Sequence, residues 1–146
     1  MQIKLNVDGR ERDVDVEPRY TLADVLPTHA GCEHGICGAC TVLVDGDPVR
    51  ACLMFAVQAQ GKHIRTVAGL ARGEELHPLQ RAFIEHHALQ CGYCTPGFLM
   101  LGVSLLEQRP DITDEELREA LSANLCRCTG YQNILQAVRA AAKERR

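Results

Sequence analysis

The sequence predicts an α+β chain with a strand-rich first half and a helical second half. Three observations carry this. Apolar residues alternate with polar ones in short runs up to about Val67, broken by Asp-Gly turn signals. After Gly69 apolar residues recur at helical spacing between capping motifs. Eight cysteines fall into two groups of four, one group in each half: Cys32, Cys37, Cys40 and Cys52, then Cys91, Cys94, Cys126 and Cys128.

The strands come first. Ile3, Leu5 and Val7 alternate with polar residues, Asp8-Gly9 is a tight-turn signal, and Val14 and Val16 resume the alternation, which reads as a hairpin. Thr21 is a candidate N-cap for a helix over Leu22–Leu26, but Pro27 stops it almost at once. Thr41–Val44, Asp45-Gly46 and Pro48–Cys52 read as a second hairpin whose return strand carries Cys52. Ile64–Val67 is expected to add one more strand.

Four helices are expected from about residue 77 onward. Pro78 suits a first helical position, with Leu76, Leu79, Phe83 and Ile84 at helical spacing. Thr95-Pro96 opens a run from Phe98 to Leu106 that is apolar on nearly every side, the mark of a helix buried in a bundle. Thr113-Asp-Glu-Glu116 is a capping box ahead of Leu117, Leu121 and Leu125, and Thr129-Gly-Tyr-Gln132 resembles another ahead of Ile134, Leu135 and Val138. Lys143-Glu-Arg-Arg146 puts net positive charge at a helix C-terminus, where the helix dipole favours it.

Composition removes several function classes. The chain has 146 residues and a formal net charge of −3, without the basic excess of a nucleic-acid binder. No stretch approaches the ~18–20 apolar residues of a membrane span. The first residues alternate instead of forming the apolar core of a secretory signal, so a cytoplasmic location is expected. Eight cysteines are about 5.5% of the chain, below a disulfide scaffold. Thiols in a reducing compartment call for metal.

The first group, Cys32-x4-Cys37-x2-Cys40 with Cys52 further on, has the spacing of a plant-type [2Fe–2S] site. Gly31, Gly35 and Gly38 allow positive φ and leave room for an inorganic core. His34 lies inside this loop, but four cysteines already complete the site, so a Rieske-type histidine ligand is not needed. The second group pairs a Cys-x2-Cys with a Cys-x-Cys, each just before a predicted helix, where free N–H groups favour thiolates. That spacing suits a second iron–sulfur cluster better than a zinc ribbon, and spacing alone leaves both open.

Three long motifs then carry a family resemblance. Cys32-Glu-His-Gly-Ile-Cys-Gly-Ala-Cys-Thr-Val-Leu-Val-Asp-Gly46, Gln90-Cys-Gly-Tyr-Cys-Thr-Pro-Gly97 and Asn124-Leu-Cys-Arg-Cys-Thr-Gly-Tyr131 resemble the small iron–sulfur subunit of bacterial molybdenum hydroxylases, the xanthine dehydrogenase and carbon monoxide dehydrogenase group. The resemblance spans almost the whole chain. It implies a β-grasp plant-type ferredoxin domain over 1–73 and a four-helix domain over 74–146, each holding one [2Fe–2S] cluster. Cys32, Cys37, Cys40 and Cys52 would hold the flavin-side cluster; Cys91, Cys94, Cys126 and Cys128 the molybdenum-side cluster. Gln90 and Cys128 would lie beside the pterin.

The implied role is electron transfer, with substrate chemistry on a molybdopterin-binding large subunit (cytosine dinucleotide form) and FAD on a medium subunit, in a dimer of heterotrimers. Carbon monoxide, an aromatic acyl-CoA such as furoyl-CoA, an N-heterocycle or an aldehyde are the candidate substrates. The segment Ala51–Gly61 looks more like the carbon monoxide dehydrogenase-type and acyl-CoA dehydrogenase subunits than like eukaryotic xanthine dehydrogenase. Competing readings are a free-standing two-cluster ferredoxin and a zinc-binding interaction module. One departure from the family stands out: only Pro27 separates Leu22–Leu26 from Thr28-His-Ala-Gly31, so the first helix is clipped. His29, His34, His63, His77, His86 and His87 are tempting as ligands, with His86 and His87 reading as surface or helix-edge residues, and Met54 and Met100 read as core.

Overall fold

Two Asp-Gly turns build the sheet. In the computed structural model, which describes residues 1–144, β1 (Gln2–Val7) and β2 (Arg10–Asp15) pair antiparallel across Asp8-Gly9. β3 (Thr41–Val44) and β4 (Asp47–Arg50) pair across Asp45-Gly46. Both turns place φ above zero at both central residues, 52° and 78° in the first and 51° and 90° in the second. This is the primed geometry whose twist matches that of the strands. A short β5 (His63–Arg65) lies between the hairpins, parallel to β1 and antiparallel to β3, giving the order β2-β1-β5-β3-β4.

The first helix is as short as Pro27 demands. α1 (Leu22–Val25) is a single turn, with the Asp24 carboxylate accepting from the Thr21 amide (2.7 Å) and hydroxyl (2.9 Å). Leu22 and Leu26 are still buried under the sheet. A cavity of about 10 Å³ adjoins Pro27 and is lined also by Thr28, Ala39, Thr41, Thr66 and Pro96, among others. The buried Thr28 hydroxyl finds no protein partner there.

The helical half follows the predicted order: α2 (Pro78–Glu85), α3 (Thr95–Gln108), α4 (Asp114–Leu121) and α5 (Gln132–Glu144). Pro78 opens α2, and the Thr113 capping box forms, with Glu116 accepting from the Thr113 amide at 2.9 Å. From Gly97 to Leu106 α3 is buried on nearly every side, including Phe98, Met100 and Val103. Each such side chain contributes about 1.5–3 kcal/mol through removal from water. α2 and α5 pack along each other through Leu79, Phe83, Ile134 and Val138.

Several details differ from expectation. β4 stops at Arg50, so Cys52 lies in the following turn, where the chain must leave the sheet to turn back beneath the loop. Val67 begins a 3₁₀ turn after β5. Ile84 is 58% exposed because α2 buries only its Leu79–Phe83 side, and Leu125 lies beyond α4 and is 49% exposed. The Thr129 hydroxyl donates to Cys126 Sγ, and Tyr131 at φ 68° separates it from α5, so no second capping box is read there. Lys143 is in the last turn of α5; Arg145 and Arg146 lie outside the described residues.

The cores meet at β3. Val42 and Val44 join the cluster beneath the first hairpin, whereas Leu43 points the other way, into the helical cluster with Leu70, Phe98 and Met100. Alternation along one strand thus serves two cores. Ser104 and Gln108 of α3 close the seam by donating to the Gly46 carbonyl at 3.0 and 2.8 Å. No helix among the described residues is long and apolar enough to cross a membrane.

Candidate metal centres

The first loop wraps its cysteine sulfurs in backbone N–H groups. Cys32 Sγ is faced by the amides of Ile36 (3.3 Å) and Cys37 (3.2 Å), and Cys37 Sγ by those of Cys32 (3.4 Å) and Ala39 (3.5 Å). Left-handed backbone at Glu33, Gly35 (φ 85°) and Gly38 (φ 76°) curls the loop into this shape. Gly31 serves space instead: a Cβ there would come within 2.8 Å of Cys37 Sγ. As thiols the group is electrically uneven. The amides of Cys37 and His34 bring Cys32 down to about 6, while burial, then contact with the Cys40 thiol, pushes Cys52 up to about 11.

The second group is built on two loops. Cys94 caps α3, and Tyr93 N–H points at Cys91 Sγ (3.4 Å). Cys126 Sγ receives the Thr129 hydroxyl (3.0 Å) and amide (3.4 Å). Burial, then contact with Cys126, pushes Cys94 up to about 12. For Cys126 burial acts upward, and the Thr129 hydroxyl and amide with the Cys128 amide outweigh it, so its thiol is lowered. Cys91, Cys128 and Gln90 are exposed. This group is thus the more open to solvent, whereas in the first group Cys40 is buried.

All eight cysteines are free thiols. Among the described residues no three His, Cys, Asp or Glu side chains gather as a single-ion site. The thiols meet instead as pairs, Cys40 with Cys52 and Cys94 with Cys126. Soft sulfur donors brought together in this way, several of them faced by N–H groups, suit iron–sulfur chemistry. His34 is otherwise engaged, its Nδ1 2.7 Å from the Cys32 carbonyl. His77 caps α2 by accepting from the Leu79 amide, and His63 contacts Asn6.

The two groups are tied together by residues that sequence reasoning missed. The Leu125 amide donates to the Cys37 carbonyl at 2.8 Å, linking the first loop to the residue next to Cys126. Arg50 donates to the Thr41 hydroxyl (2.8 Å) and the Ala123 carbonyl (2.6 Å). Buried Asn124 donates to the Gly38 carbonyl (3.2 Å), and the first turn of α3 passes so close that a Cβ on Gly97 would be 2.2 Å from that same oxygen. The only available signal was position: Asn124 and Gly97 sit inside the quoted motifs, and Arg50 two residues before Cys52.

Comparison with known proteins agrees with this geometry. A model described as "2Fe-2S iron-sulfur cluster binding domain" matches residues 14–86, and one described as "[2Fe-2S] binding domain" matches residues 66–139. The nicotine 6-hydroxylase small subunit of Paenarthrobacter nicotinovorans is 56% identical over 145 residues, covering 94% of this chain and 87% of its own. Caffeine dehydrogenase subunit gamma of Pseudomonas sp. (strain CBB1) is 52% identical over 147 residues, covering 94% of this chain and 88% of its own. A chain of quinoline 2-oxidoreductase from Pseudomonas putida 86 superposes with a TM-score of 0.91 at 47% identity, covering 98% of this chain and 94% of that one. With two cluster-binding halves in one polypeptide and relatives matched end to end, this chain belongs to the small [2Fe–2S] subunits of the molybdenum hydroxylase family.

Proposed function

We propose that the chain is a two-cluster electron relay, with Cys32, Cys37, Cys40 and Cys52 holding one [2Fe–2S] cluster and Cys91, Cys94, Cys126 and Cys128 the other. When bound, the clusters supply one-electron redox chemistry in series between a molybdopterin on a large partner subunit and FAD on a medium one. The chain's own residues do no bond chemistry on substrate. They hold the thiolates, point N–H groups at the sulfurs so that added negative charge is stabilised, and keep the inner sulfurs from water.

The observation that carries this reading is the hydrogen bond from the Leu125 amide to the Cys37 carbonyl. It makes a short covalent and hydrogen-bonded bridge from a ligand of the first group to Cys126 of the second. The exposure of Gln90, Cys91 and Cys128 supports the second group as the entry side, with the Gln90 amide open to pair with a pterin. The relatives' names, nicotine, caffeine and quinoline, favour an aromatic N-heterocycle as the substrate of the complex. A cytoplasmic dimer of heterotrimers is the matching assembly.

The test is purification of the intact complex with its co-expressed partner subunits. Expected are about four irons per copy of this chain, two per cluster, and two distinct paramagnetic signals that both appear on adding an N-heterocyclic substrate anaerobically. A colourless chain loaded with zinc, or one purified alone with no partner, overturns the proposal.

A further inference from the structure

Tyr93 directly precedes Cys94 in the Cys91-Gly-Tyr-Cys94 turn, and the loop leading into the first cysteine group grips it at three points. The His29 and Tyr93 rings stack with centroids 4.8 Å apart and planes 23° from parallel. The Tyr93 hydroxyl donates to the Ala30 carbonyl at 2.5 Å. His29 Nδ1 lies 2.8 Å from the Tyr93 carbonyl oxygen. A carbonyl only accepts, so Nδ1 carries the proton and donates.

The last contact fixes a peptide plane. In a trans peptide the carbonyl and the following N–H point in opposite directions. Holding the Tyr93 oxygen on His29 therefore turns the Cys94 N–H to the opposite side of the peptide, away from His29. Tyr93 N–H already faces Cys91 Sγ. One donor of this turn is thus directed at sulfur, and the group that orients the next peptide comes from the other half of the chain.

We propose that His29 is a positioning residue for the second cluster, holding the Tyr93–Cys94 peptide so that its N–H faces sulfur and thereby raising that cluster's reduction potential. The inference rests on the two-cluster reading above. A reduced cluster carries one more negative charge, so each N–H aimed at its sulfurs favours reduction. His29 touches neither sulfur nor iron and acts only through the peptide.

The test is a potentiometric titration of the purified complex, following each cluster by its own paramagnetic signal. His29→Leu keeps bulk on the Tyr93 ring but cannot donate. It is expected to shift the reduced-to-oxidised ratio of the second cluster about tenfold toward oxidised at fixed potential, about 59 mV for one electron, leaving the first cluster unmoved. His29→Asn, whose amide can stand where Nδ1 does, is expected to restore most of the shift. Tyr93→Phe, which loses the bond to Ala30 but keeps the carbonyl on His29, is expected to hold the wild-type midpoint.

An unmoved second midpoint in His29→Leu overturns the role of His29, as does an equal shift of both clusters. A shift in His29→Asn or Tyr93→Phe as large as that in His29→Leu overturns it too. A wild-type chain carrying a single cluster would instead overturn the relay itself, and this inference with it.

Discussion

Gly97→Ala reverses the sign that helix propensity alone would give. Alanine inside a helix is favoured over glycine by about 1 kcal/mol, so the substitution in α3 should stabilise if only local structure mattered. The Cβ, however, would sit 2.2 Å from the Gly38 oxygen and 3.1 Å from both the Gly38 carbonyl carbon and Ala39 Cα. All three are backbone atoms, and no rotamer relieves them. Restoring ordinary contact separation of about 3.5 Å requires α3 and the first cysteine loop to part by about 1 Å. The Gly38 oxygen is also the acceptor for the Thr41 amide and hydroxyl and for Asn124 Nδ2, so moving it strains three hydrogen bonds. Overpacking of this kind costs about 1–3 kcal/mol. Because nothing can rotate away, the upper end applies, and the net effect is a loss of about 2 kcal/mol after the propensity gain. Gly102→Ala is the internal control: its Cβ meets the end of the Leu79 side chain at 2.8 Å, which can turn aside. Urea unfolding of the iron-loaded chain measures both. Gly97→Ala matching or exceeding wild-type stability would refute the close approach of α3 to the loop.

Four further outcomes follow from the same geometry. Arg50→Met removes the ties to Thr41 and Ala123 and should cost about 1 kcal/mol, seen as faster hydrogen exchange at the Leu125 amide. Thr129→Val deletes the hydroxyl bond to Cys126 Sγ and should lower the second cluster's potential, with Thr129→Ser retaining it. Gln90→Ala should leave both cluster signals intact while slowing reduction by substrate; unchanged turnover of the complex argues against pterin contact. Glu116→Gln should destabilise α4 in a pH-dependent way. The Thr113 amide and hydroxyl hold the Glu116 carboxyl below its ordinary value of 4.5, and Arg109 adds to this. The native state therefore binds fewer protons than the unfolded chain, so the stabilisation is full above 4.5 and is lost as pH falls through the lower native value. The gap between the thermal midpoints of wild type and variant should narrow on acidification from pH 7 and stay constant if Glu116 is idle.

What could be read from the sequence was local. Asp8-Gly9 and Asp45-Gly46 announce their hairpins because only a few residues adopt left-handed backbone readily, and Pro78 and the Thr113 box mark helix starts by their own bonding. The cysteine spacing needed only a count. The contacts that fix how the two groups lie together are between residues far apart in the chain: Arg50 reaches Ala123, Asn124 reaches Gly38, and His29 reaches Tyr93. No periodicity records such pairs. Thr129 was misread for a related reason. Its hydroxyl can serve a helix end or a sulfur, and only the neighbouring Cys126 decides which. The exposure of Ile84 could not be foreseen either, because its spacing fits the buried face of α2 while its side chain falls outside it.

Leu43 has a bearing on how this protein can be taken apart. One residue of β3 sits in the helical core while its neighbours on either side sit in the other. Cutting the chain between its halves would strip cover from a wholly buried leucine in the middle of a sheet, so a truncated ferredoxin-like fragment should clump instead of standing alone. Exchange of parts with another such protein would succeed only if donor and recipient agree on the side chain at this one position.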